Sequence, residues 1–207
     1  MELVLNHMRQ IFSFPRILSL LIVASLATLI GCGDNYMPKP RGYFRIDLPE
    51  KKYQSFDTTY PYTFEYPVYA ILTPDNNAAN EPYWINVDYP LFKGRIHISY
   101  KAVNNNLSKY TEDAHELVMK HIPKASAIEE IRIDNEQADI HGLIYDIKGS
   151  GTASVYQFFI TDSTNHFVRG ALYFNVIPNN DSLAPVIDFV KSDIQHMLES
   201  FRWKTQP

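Results

Sequence analysis

The chain has a single cysteine, Cys32, among its 207 residues. A disulfide within the chain is therefore impossible, and a disulfide-stapled secreted scaffold is ruled out. Dense basic runs are also missing. Lys and Arg number 19 against 23 Asp and Glu, for a net charge of −4. The cations are scattered, whereas neutralising a phosphate backbone needs them clustered, so nucleic acid is a poor partner. No apolar run reaches the ~20 residues that span a bilayer as a helix. Walker A, G-x-G-x-x-G and G-x-S-x-G are all absent, and with them the sequence signals for a phosphate cradle or a nucleophile elbow. His115-Glu116 starts like a zinc-protease helix but fails at the fourth position, where Met119 stands. The next histidine, His121, is six residues on, which is the far side of a helix. His97, His141, His166 and His196 fall on separate expected elements. No metal site, cofactor or catalytic residue is expected from these patterns.

The N-terminus carries an address. Arg9 and Arg16 precede the almost wholly apolar stretch Ile17 to Ile30. A basic front and a short apolar segment together match a secretory signal. Leu29-Ile30-Gly31-Cys32 resembles the bacterial lipobox, in which the cysteine is acylated and becomes the first residue after cleavage. Cys32 is thus the expected lipidation site, and membrane lipid the expected first partner. Removing residues 1–31, which carry Arg9 and Arg16 against Glu2, would leave 176 residues of net charge −5. Each buried methylene contributes about 0.8 kcal/mol, and two or more chains anchor stably where one does not. Pro38 and Pro40 keep the next stretch extended, so it reads as a tether. The expected organisation is a signal over 1–31, a lipidated tether over 32–41 and one globular domain over 42–207.

Strand-like alternation of apolar and polar residues marks Tyr43–Leu48, Tyr62–Tyr66, Tyr83–Tyr89 and Arg95–Tyr100. The period then lengthens. Leu107, Tyr110, Ala114, Leu117, Val118 and His121 describe a helical stripe, with Asn106 as its expected N-cap and Pro123 as its end. Strand signals return at Ile128–Ile133, Ala138–Ile147, Ser154–Thr161 and Phe167–Val176, with Gly149-Ser150-Gly151 as a turn. A final helix is expected from Leu183, Val186, Ile187, Val190, Ile194, Met197, Leu198 and Phe201. The fold class is α+β: an antiparallel sheet of about seven strands with two amphipathic helices packed on it.

Aromatic residues are plentiful: 14 Tyr, 12 Phe and 2 Trp. Tyrosine pairs an apolar body with a polar tip and suits interfaces as well as cores. Tyr60, Tyr83 and Tyr89, in the densest stretch, form the candidate interaction surface. Three function classes stay open on these residues: an accessory or assembly component without chemistry, a periplasmic hydrolase acting on envelope material, and an aromatic-lined ligand or glycan binder.

Several longer strings carry a resemblance. They are Pro38-Lys-Pro-Arg-Gly-Tyr-Phe-Arg-Ile-Asp-Leu-Pro49, Asn104-Asn-Asn-Leu107, Tyr145-Asp-Ile-Lys-Gly149, Arg169-Gly-Ala-Leu-Tyr-Phe-Asn175 and Asp181-Ser-Leu-Ala-Pro185. Over residues 32–204 the chain resembles the gliding motility lipoproteins GldD of the Bacteroidetes. The resemblance implies a lipid-anchored envelope protein, on the periplasmic face of the outer membrane, needed for gliding. It implies partners among the gliding and type IX secretion proteins of the envelope, and it implies no reaction. The order of strands and helices also resembles the PsbP fold, a likeness of architecture alone.

Overall fold

A computed structural model describes residues 46–75, 78 and 80–204, together with Ser19. Apart from Ser19, the expected signal, Cys32 and the expected tether lie outside the described residues. The elements below belong to the compact unit that runs from Phe44 to Pro207. In chain order they are β1 (Tyr53–Phe56), β2 (Tyr62–Pro67), β3 (Ile71–Pro74), β4 (Ile85–Tyr89) and β5 (Gly94–Ala102). Then follow α1 (Leu107–Met119), β6 (Ala127–Asn135), β7 (Ile140–Lys148), β8 (Ser154–Thr161), β9 (His166–Phe174), α2 (Asn180–Ser200) and β10 (Arg202–Trp203).

Seven strands form one antiparallel sheet in the order β3-β4-β5-β9-β8-β7-β6. A smaller antiparallel sheet, β1-β2-β10, stands apart in pairing. Strands β6 to β9 succeed one another as hairpins. The break comes after β5, which pairs with β9 rather than β6. Helix α1 carries the chain from β5 to the far edge at β6.

Alternation along the strands gives the large sheet two faces. On the inner face Val87, Ile96, Ile98, Ile144, Phe158, Val168 and Leu172 meet Val186, Ile187, Val190, Ile194 and Met197 of α2, and the small sheet adds Phe56, Tyr62 and Phe64. On the outer face Tyr145, Ile147, Phe159 and Phe167 meet Ala114 and Val118 of α1. Strand β8, covered on both sides, is buried at all eight positions. Gly170 leaves room for the opposite ring: a Cβ there would lie 2.1 Å from Cζ of Phe158.

The expected class of fold is present, with differences in detail. Ile46 to Leu48 form no strand, and residues 43–45 lie outside the described part. Tyr62–Pro67 joins the small sheet, and the unexpected β3 takes the seventh place in the large one. Strand β4 starts only at Ile85, because Tyr83 turns out of the strand at φ 72°. Asn106 precedes α1 but caps no helical N–H; its Oδ1 accepts from Asn104 N at 2.8 Å and its Nδ2 donates to Tyr110 at 3.1 Å. His121 lies past the end of the helix.

One charge sits on the apolar stripe of α2. Asp193 is 1% exposed and lies where a helix period predicts an aliphatic residue. Its Oδ1 accepts from Lys51 Nζ at 2.6 Å and Tyr53 OH at 2.9 Å, and its Oδ2 from Tyr69 OH at 2.8 Å. Lys51 also donates to Phe189 O at 2.9 Å and lies 4.0 Å from the centre of the Phe189 ring. Burial, and then the bond to Asp193, push both phenols well above the ordinary tyrosine range. They therefore stay protonated donors. The carboxylate ties the start of the domain and the turn after β2 to the middle of α2.

Replacing Asp193 with alanine would leave three donors without their acceptor. Losing one partner of a buried charge pair costs about 3–5 kcal/mol. Lys51 is 32% exposed, so solvent screening places the expected loss near about 3 kcal/mol. For a domain of this size that lowers the melting temperature by roughly 6–12 °C. Thermal unfolding of the Asp193→Ala protein checks this, and a shift below about 2 °C would contradict it.

Candidate functional site

The aromatic stretch resolves into a rim and a core. Tyr62 is fully buried in β2, and its ring stacks on Phe201 at 5.5 Å. Burial, and then neighbouring Tyr60 and Tyr100, push its phenol far up, so it remains a donor. That hydroxyl donates to the backbone carbonyl of Tyr83 at 2.6 Å. Tyr83 needs such a hold, because φ 72° places a bulky side chain in the left-handed region, where strain costs about 1–3 kcal/mol. Above this base the half-buried rings of Tyr60 and Tyr83 meet edge to face at 5.2 Å. Tyr60 also meets Phe56 at 5.2 Å, and Tyr83 meets Tyr100 at 5.5 Å. Trp84 continues the rim, fixed by its Nε1 donating to Tyr100 O at 2.8 Å, with Lys101 Nζ 5.3 Å from its ring centre.

Tyr89 does not join this rim. It ends β4 with 1% exposure, packed in the core near Tyr69 at 6.3 Å. Of the three candidate surface tyrosines the structure brings Tyr60 and Tyr83 together and puts Tyr89 inside. Alternation explains this: Ile85, Val87 and Tyr89 share the inner face of β4. Trp84 is the rim residue that sequence reasoning missed, because the pattern placed it within a longer strand.

The histidines serve as separate struts. His141 lies between Asp134, at 2.9 Å, and Asp139, at 3.5 Å. His196 pairs with Glu65 at 2.6 Å and stacks on Tyr53 at 3.6 Å. His166 Nδ1 and the Tyr100 hydroxyl share a hydrogen bond at 2.8 Å, and the His166 ring stacks on Trp203 at 5.1 Å. His115 and Glu116 are exposed on α1, with the ring of His115 6.2 Å from Tyr145. Among the described residues no group of three or more His, Cys, Asp or Glu is placed to hold a metal. Gly149-Ser150-Gly151 is a turn, held by Asn180 Nδ2 donating to Gly149 O at 2.7 Å and to Thr152 O at 3.0 Å. No described helix is long and apolar enough to cross a membrane. Cys32 lies outside the described residues.

A family comparison decides the resemblance carried by the sequence strings. The model of the gliding motility lipoprotein GldD family matches residues 33–203. The chain belongs to this family. The matched span opens at Gly33, directly after Cys32. No curated protein matches the chain. Among solved structures it is similar to the solution structure of cyanobacterial PsbP (CyanoP) from Synechocystis sp. PCC 6803. That similarity has a TM-score of 0.48 at 14% identity, over 77% of this chain and 97% of that one.

If the histidines are struts and not ligands, family function should survive their loss on α1. His115→Ala and Glu116→Ala, both exposed, and His121→Ala should each support normal gliding at normal abundance. Loss of gliding with undiminished protein, together with stoichiometric zinc in the wild type, would overturn this.

Proposed function

We propose that this lipoprotein is a non-enzymatic accessory component of the gliding motility machinery and works beside type IX secretion. Acyl chains on Cys32 would hold it at the periplasmic face of the outer membrane, and the tether would lift the domain from the headgroups. Within that role the Tyr60–Tyr83–Trp84 rim is the surface for another envelope protein. The observation that carries this reading is Tyr83. It is a half-buried aromatic residue in the left-handed region at φ 72°, with its carbonyl held by a buried tyrosine. Strained residues of this kind persist where their surroundings over-determine them, and they cluster at functional positions. Rigid aromatic anchors are also the residues that dominate interface energies.

Two variants test the rim. Tyr83→Gly removes the ring and relieves the left-handed strain, since glycine adopts positive φ freely. Tyr60→Ser removes the neighbouring ring. An anchor worth about 2.8 kcal/mol weakens a complex about a hundredfold when lost. Both variants should recover far less partner from envelope extracts and should stop gliding, while Tyr83→Gly melts within about 3 °C of wild type. Normal gliding in both, or loss that always accompanies unfolding, would refute the rim.

The anchor has its own test. Cys32→Ser should remove acyl labelling and leave the precursor uncut. Normal cleavage and membrane retention in that variant would contradict the lipoprotein reading.

A further inference from the structure

The outer face of the large sheet is only half covered. Helix α1 packs its apolar stripe over β7, β8 and the start of β9. Beside it, a cavity of about 490 Å³ opens above β5 and β9, between α1 and Trp84, the residue before β4. That volume falls in the range of small-molecule sites, about 300–1,000 Å³. Its lining changes character from one side to the other. Trp84, Tyr110, Leu117 and Phe167 make an apolar wall, and Arg169 and Tyr173 stand on the β9 side.

Arg169 is the unusual member. Its Nη2 donates to Gln157 Oε1 at 2.5 Å, and Tyr173 stands beside it on the lining. Among the described residues it forms no ion pair with any carboxylate, while other cations of the same face do. Arg95 pairs with Asp88 at 2.5 Å, and Lys101 pairs with Glu81. Burial depresses the basicity of the Arg169 guanidinium, with Tyr173 opposing. Desolvated cations are costly unless paired. Gln157 is 1% exposed, and its Nε2 is a buried donor without an acceptor. Among the described residues the guanidinium thus has a neutral amide carbonyl but no anion as its partner, and the amide's own Nε2 has no acceptor.

We infer that this cavity binds a small carboxylate with an apolar body, the carboxylate on Arg169 and the body against Trp84, Leu117 and Phe167. The guanidinium fork matches a carboxylate with two parallel bonds. Charge selects the monoanion. Asp75 and Asp113 line the same cavity, and their repulsion weighs more against a dianionic phosphate. His97, also on the lining, is held below the ordinary histidine range by burial and by Arg95. It is therefore neutral near pH 7 and adds no second cation. Lys101, although on the lining, is engaged by Glu81. The cavity shares Trp84 with the rim, but its ligand and its test do not depend on the envelope role proposed above.

Calorimetric titration of the full-length lipoprotein in nanodiscs, against empty discs, tests this with three probes of one chain length: hexanoate, hexanamide and hexyl phosphate. Hexanoate should bind saturably, and the other two at least about tenfold more weakly, a difference of about 1.4 kcal/mol. Arg169→Gln should reduce hexanoate affinity at least about tenfold as well. Leu117→Trp, which fills the cavity from a partly exposed helix position, should abolish binding without lowering the melting temperature. Equal binding of hexanoate and hexanamide would overturn the inference, as would tighter binding of hexyl phosphate or no saturable hexanoate binding. So would an unchanged affinity in a folded Arg169→Gln protein. If that variant fails to fold, the three probes on wild type and the Leu117→Trp protein still decide.

Discussion

A carboxylate buried inside a helix–sheet interface has to be neutralised where it lies, and Asp193 makes the rest of the architecture answer to that need. Three donors reach it: Lys51 and Tyr53 from the start of the domain, and Tyr69 from the turn after β2. Each belongs to a stretch that a hydrophobic pattern alone would leave loose. Tyr53 is the first residue of β1, so its bond to Asp193 also sets where that strand begins. With β1 and the turn after β2 both fixed, β2 lies between them and pairs with β1 in register from Tyr53 to Phe56. The small sheet then closes on α2 through Glu65 and Ser200, with Glu65 N donating to Ser200 Oγ at 2.9 Å. Strand β10 completes the sheet directly after the helix. Buried ion pairs are weak sources of net stability, but they discriminate between arrangements. Here the arrangement chosen is the one that sets Tyr62 under Tyr83.

The same chain of support produces the rim. Tyr62 is buried because β2 is held against α2, and its hydroxyl must still find an acceptor. The acceptor is the carbonyl of Tyr83. That bond helps hold Tyr83 in the left-handed region, and β4 begins only at Ile85, so that Tyr83 and Trp84 stay out of the sheet at its border. A local oddity in backbone conformation is thereby traceable to a charge that lies on a different element. The large sheet needs no such device. Its inner face is closed by aliphatic packing, and its outer face is closed by α1 only where Tyr145, Phe159 and Phe167 supply an apolar bed.

Most of this fold was legible wherever periodicity was the controlling force. Strand β8 was read to the residue, since Ser154–Thr161 is apolar-rich and bounded by turns. Both helices were placed by their stripes, and the sheet class followed. What escaped detection was governed by tertiary contacts. Strands β1 and β3 have four residues each and β10 has two, too short for alternation to register. Their pairing depends on partners distant in sequence. The role of Asp193 has no local signal, since its three donors lie more than a hundred residues away. Asn106 had the right identity for an N-cap but is drawn off by Asn104 and Tyr110. Of the candidate surface, Tyr60 and Tyr83 lay outside regular strand, where exposure is common. Tyr89 obeyed the alternation of β4 and went inside.

The edges of the sheets bear on how a partner can be met. A long, flat, unpaired edge invites strand addition. Strand β6 is the long edge here, with nine residues, and it carries Glu129, Glu130, Arg132 and Asp134. Two of these are already engaged with each other, Arg132 with Asp134 at 2.9 Å. A third, Glu129, is paired with Lys148 at 2.5 Å. Charges on an edge oppose an incoming apolar strand, because they would have to be desolvated or matched. The opposite edge, β3, is four residues long and ends in Pro74, which has no N–H to give. In the small sheet the edges are β1, with four residues, and β10, with two. Backbone pairing therefore has little to work with on any side. On the function proposed above, recognition of another protein would fall instead to side chains on a fixed base, and the rings of Tyr60, Tyr83 and Trp84 are such a set.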